Sequence, residues 1–235
     1  MGVAQAAACG TVTANTTLGS DCDAPLTIGA SGITVDLGGH SVLCPAVPGS
    51  TGIDVGSWDG VRVENRSVNG CTTGVLVNGG DSEEFTALAL SDNDVGFDIR
   101  DSADSTVERN EVTNSPFTGV LLFQTSGITV RRNTILDGGT GIFDNGGTNN
   151  RIMSNTAAFG DTGIIVGAES AIVVHNSTPA NNRGIWVTAA HGVNRLFANE
   201  SLGNSIFDMQ DDAPGCDSNV WHGNKFATAN QPCIH

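Results

Sequence analysis

Glycine recurs along this chain at almost constant intervals, each time followed by a β-branched or other apolar triplet. The anchors are Gly32, Gly52, Gly74, Gly96, Gly119, Gly141, Gly163 and Gly184, with Ser205 in the glycine position of a last coil. The steps are 20, 22, 22, 23, 22, 22, 21 and 21 residues. A fixed period of this length marks a solenoid, in which each repeat buries its apolar face only against its neighbours. A second mark falls 13 to 15 residues after most anchors, an Asn closing a second short strand: Asn65, Asn110, Asn133, Asn155, Asn176 and Asn199. Asn tolerates left-handed turns, and its amide satisfies turn backbone groups. Stacked coil on coil, these side chains predict a buried ladder, broken where Leu88 takes the site. A third set of turn signals, including Asn93, Asn114, Gly138-Gly139, Asn181-Asn182 and Asn204, ends the coils.

Each coil therefore holds three short strands and three bends. Hairpin sheets need paired runs with two-residue turns, leucine-rich repeats need a Leu frame, and helical repeats need a 3.6-residue period. None is present, and Lys225 is the only lysine in a chain with 31 glycines. The pattern predicts an all-β, single-domain right-handed parallel β-helix over 1–235, with about nine coils of ~22 residues. Residues 9–31 read as an N-terminal cap, 32–210 as regular coils and 211–235 as a C-terminal cap. At about 4.8 Å per coil the rod is about 40 Å long.

Six cysteines, Cys9, Cys22, Cys44, Cys71, Cys216 and Cys233, lie near the ends, without the C-x-x-C pairs of a zinc site. The simplest pairing is Cys9–Cys22, Cys44–Cys71 and Cys216–Cys233, which closes the exposed ends of the solenoid and implies an oxidising compartment. No segment is long and apolar enough to span a membrane. The start, MGVAQAAA, reads as the tail of a trimmed signal peptide, so the expected location is secreted or periplasmic. A net charge of −15 excludes nucleic acid as a partner and disfavours acidic polysaccharides unless a local Arg cluster overrides the field.

The opening CGTVTANTTLGSDC, the run LTIGASGITVDLGGHSVLC and the ending CDSNVWHGNKFATANQPC resemble the right-handed β-helix repeat proteins of secreted bacterial type, in the pectate-lyase-like superfamily. The resemblance covers essentially the whole chain. It implies the fold, and as activities polysaccharide lysis, pectin-type hydrolysis, uronan epimerisation or carbohydrate binding. The chain departs from the catalytic signatures. Only Asp211-Asp212 matches a hydrolase dipeptide, Ala190-His191-Gly192 is not GHG, the epimerase Asp-Pro-His is missing, and Tyr is absent.

Side chains alternate along a strand. Position one after each anchor reads Ile33, Ile53, Val75, Phe97, Val120, Ile142, Ile164, Ile185 and Ile206, an inward apolar stack. Position three is equally apolar except at Asp144 and Asp208. Position two faces out, and with position four it presents Leu121, Phe123, Phe143, Ile165, Trp186, Phe207 and Met209 as an apolar strip. Such a strip marks a ligand groove, a surface covered by a loop, or a subunit interface. Arg100 joins it as a candidate ligand contact.

Candidate acid–base groups are Asp54, Asp98, Asp144 and Asp208. Asp54 and Asp98 lie two coils apart, about 9.6 Å by strand spacing, a separation suited to an inverting pair. The competing reading is an ordinary Asp98–Arg100 ion pair. Buried Asp144 or Asp208 would titrate high and serve as an acid, or else cap a turn. Asp92, Asn93 and Asp94 are a weak calcium candidate, no metal or cofactor is otherwise expected, and His175 and His191 are isolated. Three functions follow: a glycan lyase, hydrolase or binder; a cyclase or isomerase acting on a hydrophobic small molecule; and a non-catalytic module that forms homo-oligomers through the strip.

Overall fold

The computed structural model describes residues 9–45, 47–188 and 193–235. Its strands stack as a right-handed parallel β-helix, and every strand pairing is parallel. One side is a ten-stranded sheet running from Thr11–Val12 and Leu26–Ile28 through Thr51–Gly56, Thr73–Asn78, Val95–Arg100, Thr118–Phe123, Thr140–Thr148, Thr162–Glu169 and Arg183–Val187 to Phe207–Asp211. A fourteen-stranded sheet wraps the other two sides. Arg62–Asn69 and Glu84–Ser91 run across both of those sides, whereas later coils break between them, as at Thr106–Glu108 and Glu111–Thr113.

Phe97, Val120, Ile142, Ile164 and Ile185 pair in register and are fully buried. The anchor glycines are needed for a steric reason. A Cβ on Gly141 would sit 2.5 Å from the Gly163 carbonyl oxygen, and one on Gly74 2.6 Å from that of Gly96. Each coil's carbonyl thus occupies the space a side chain would take on the coil before it.

The predicted register fails at both ends. Gly32 is not an anchor of the first sheet: Thr34–Asp36 pairs with Arg62–Asn69 in the second sheet, and Leu26 stands opposite Ile53. At the other end Ile185 pairs with Met209 and Val187 with Asp211, so Asp208 holds the anchor position predicted for Ser205. Three extra residues enter the last coil, Ile206 is exposed, and Met209 enters the core.

The Asn ladder runs unbroken from Asn110 through Asn133, Asn155, Asn176 and Asn199 to Asn224. Each Oδ1 accepts the backbone N–H of the preceding coil at 2.9–3.0 Å. Each Nδ2 donates to a carbonyl of that coil, as Asn155 does to Val130. Leu88 interrupts the series as expected, its N–H capped by Asn110. Asn65 does not belong to it. It is exposed at φ 67° and donates to Asp36.

Disulfides join Cys9 to Cys22, Cys44 to Cys71 and Cys216 to Cys233. No described helix is long and apolar enough to cross a membrane.

Candidate functional site

The outer face of the first sheet carries three parallel columns. The central one is position two: Asp54, Leu76, Asp98, Leu121, Phe143, Ile165, Trp186 and Gln210. Leu121, Phe143 and Trp186 are half-buried and Ile165 is 8% exposed, because neighbours along the column cover one another. Asn78, Arg100, Phe123, Asn145 and Gly167 form a second column. The third was missed in the sequence: Thr51, Thr73, Thr118, Thr140 and Thr162, each immediately before an anchor, with Val95 and Arg183 in the same row. The recurring Thr-Gly dipeptide was its visible signal. Two predicted members of the strip lie elsewhere. Phe207 stands beside Arg183 in the threonine row, and Met209 is buried because the last coil is shifted.

At the C-terminal end of the face a polar ring closes around Trp186. Its Nε1 donates to Asp212 Oδ2 at 2.8 Å, Gln210 donates to Asp212 Oδ1 at 2.7 Å, and Arg183 Nε donates to Gln210 at 3.0 Å. The Arg183 guanidinium also lies 5.2 Å from the Trp186 ring centroid, a cation–π contact. The indole is therefore held in one orientation beside groups that donate and accept hydrogen bonds.

The acidic candidates separate. Asp98 takes both oxygens into a fork with Arg100, at 2.7 Å each, which holds the guanidinium above its usual pKa. Arg100 in turn lies 5.9 Å from the Phe123 ring. Asp54 is half-buried on the same column and accepts the Gly56 N–H at 3.0 Å. Asp144 faces inward, within a continuing strand rather than past its end, and is fully buried. One oxygen accepts from Asn150 at 2.8 Å and the other has no partner. Burial pushes its pKa up to about 6, against the opposing hydrogen bond from Asn150.

Asp208 is also buried, which alone would raise its pKa, but N–H donors from Asn204, Ala227 and Thr228 outweigh that and hold it below the usual range. It locks the terminal segment to the last coil. Its expected place in the inward row belongs to Asp211, which Trp221, Asn219 and Ala213 satisfy. Asp144 and Asp208 thus both lie away from the outer face. His175 is an exposed turn residue, and His191 lies outside the described residues. Asn93 is committed to the backbone of the preceding coil, leaving Asp92 and Asp94 without it as a calcium partner.

The fold is that of a right-handed parallel β-helix protein. Within that class the chain belongs to the family described as periplasmic copper-binding protein (NosD), whose profile matches residues 33–231. Solved structures share the fold at low identity. The periplasmic alginate epimerase AlgG, as its D317A mutant, superposes with a TM-score of 0.62 at 15% identity over 87% of this chain, which spans 62% of that protein's length. The endo-xylogalacturonan hydrolase of Aspergillus tubingensis gives 0.61 at 8% identity over 94% of this chain and 85% of that one. The AlgE4 A-module, a mannuronan C-5 epimerase of Azotobacter vinelandii, gives 0.54 at 14% identity over 95% and 88%. No curated protein sequence matches. The disulfides and the family place the chain in the periplasm or outside the cell.

The donors present do not fit copper. Every cysteine is in a disulfide, Met209 is enclosed in the core, and no group of three His, Cys, Asp or Glu among the described residues converges on one point. Among the described residues no thiolate cluster or imidazole set, of the kinds that hold this metal, is assembled, and Met153 and Met209 stand on different sheets. His222 and His235 meet edge to face, with centroids 6.3 Å apart, but no third such donor among the described residues joins them.

Proposed function

We propose that the chain is an exported glycan-binding solenoid whose first sheet receives an extended saccharide along the rod axis. The observation that carries this reading is the fixed indole of Trp186, placed at the end of the Leu121–Phe143–Ile165 column and ringed by Arg183, Gln210 and Asp212. Sugars present apolar C–H faces and hydroxyl edges. An aromatic platform beside planar polar side chains complements both. The fold likeness to an alginate epimerase and a xylogalacturonan hydrolase supports a glycan as the ligand class. Binding is favoured over hydrolysis because Asp98 is tied to Arg100, while Asp144 and Asp208 lie inside. The same placement removes two acids from the cyclase or isomerase reading.

Affinity electrophoresis against neutral glycans (xyloglucan, mannan and cellulose oligomers) tests this. The expected result is retardation by at least one, weakened tenfold or more in Trp186→Ala with thermal stability retained. Failure of every neutral glycan to retard the protein would refute the reading.

A further inference from the structure

Five neighbouring strands of the second sheet carry a charge balance opposite to that of the chain as a whole. The strands Thr106–Glu108, Thr129–Arg131, Arg151–Met153, Ile172–Val174 and Arg195–Phe197, each with the residue that follows it, contain Arg109, Arg131, Arg132, Arg151 and Arg195 but one acid, Glu108. Half of the ten basic residues of a chain with net charge −15 are therefore gathered on one face, where the local balance is +4.

The cluster is organised from beneath. Glu108 is 5% exposed and accepts Arg131 through Nε at 2.8 Å and through Nη2, with Arg132 at 3.2 Å and Arg109 at 3.3 Å. Three guanidiniums converge on one carboxylate, which fixes their positions yet neutralises only one of them. Each guanidinium presents several N–H donors, so most remain available to an outside anion. Arg151 and Arg195 extend the strip. They stand in one column with Ile172 between them, about 9.6 Å apart by strand spacing, and both are exposed. Beside them runs Met153, Val174 and Phe197, half-buried and in register.

We infer that this face is a binding site for an acidic polysaccharide, a chain of uronic acids laid along the rod axis. Arginine forks match carboxylates. The Met153–Val174–Phe197 row gives the pyranose rings an apolar surface that a phosphodiester backbone would not use. The acidic remainder of the protein opposes polymers of higher charge density, such as nucleic acid. The site lies on a different side of the solenoid from Trp186 and is independent of the first-sheet reading.

The test is affinity electrophoresis of the whole chain in polygalacturonate and polymannuronate at low and at physiological salt, with duplex DNA and anionic phospholipid vesicles as competing probes. Retardation by a uronan is expected, decreasing with salt. It should fall at least tenfold in Arg131→Gln/Arg132→Gln and measurably in Arg151→Gln/Arg195→Gln, and be unchanged in Trp186→Ala. The second pair makes no ion pair among the described residues, so its loss of binding cannot be attributed to release of Glu108. Absence of retardation by both uronans, retardation indifferent to both arginine pairs, or tighter binding of DNA or vesicles than of uronan would each overturn the inference.

Discussion

Asn133 and Asn155 sit one coil apart, and Oδ1 of Asn155 accepts two hydrogen bonds from Asn133, the backbone N–H at 2.9 Å and the side-chain Nδ2 at 3.0 Å. Asn155 meanwhile donates to the Val130 carbonyl at 2.9 Å. Truncating Asn155 to Ala takes the acceptor from the buried Asn133 N–H and a donor from the Val130 carbonyl, while Asn133 Nδ2 keeps its bond to Val107. The expected cost is about 2–3 kcal/mol, since an unsatisfied buried group costs about 1–3 kcal/mol. Urea unfolding checks it. Asn65→Ala, outside the ladder, should cost under about 1 kcal/mol.

Gly141→Ala places a methyl 2.5 Å from the Gly163 carbonyl and 2.7 Å from the Ala157 side chain. Neither backbone nor buried neighbour can yield, so the variant is expected to lose at least about 3 kcal/mol, at the upper end of overpacking costs. Gly203→Ala, which meets nothing within 4 Å but has φ +75°, should lose about 1 kcal/mol from its left-handed backbone alone. Comparing the two melting temperatures separates crowding from backbone strain.

Asp144 should give the protein an inverted acid dependence. Its pKa moves from 3.8 to about 6 on folding because burial penalises the charge. Between those values the folded chain binds more protons than the unfolded one, so this group's contribution falls as pH rises and is constant above about 6. The whole effect is about 3 kcal/mol at 1.36 kcal/mol per unit. Asp144→Asn should therefore be stabilising relative to the parent at pH 7.5 by about 2.4 kcal/mol more than at pH 4, where the unfolded carboxyl is already partly ionised. Glu83, also buried and raised, adds a slope of the same sign to both proteins and cancels in the comparison. Parallel stability curves for parent and variant would show that Asp144 is not the cause.

The middle of this architecture was legible because one steric demand, space for the next coil's carbonyl, repeats from Gly52 to Gly184. The ends were not. Gly32-Ile33-Thr34-Val35 has the same local alternation as a first-sheet strand, and periodicity cannot tell which side of the coil a strand joins. Nor could it register the three residues inserted before Met209. In the candidate site, the column from Leu121 to Trp186 followed from alternation alone. The ring around Trp186 did not, because Asp212 and Gln210 come from the shifted last coil. The arginine face stayed hidden although VERNEV and VRRNTI are adjacent repeats. Its members alternate between strand and turn positions, and only the fold shows that Glu108 collects them.

The central claim, saccharide recognition at Trp186, is most directly tested by fluorescence titration with a neutral glycan that retards the protein. Trp58 is 41% exposed and Trp221 1%, so in Trp58→Phe the responsive emission comes from Trp186. A saturable change in intensity or wavelength is expected, abolished by adding Trp186→Phe. Saturable binding of the glycan, measured by calorimetry, with Trp186 emission unchanged would contradict the account.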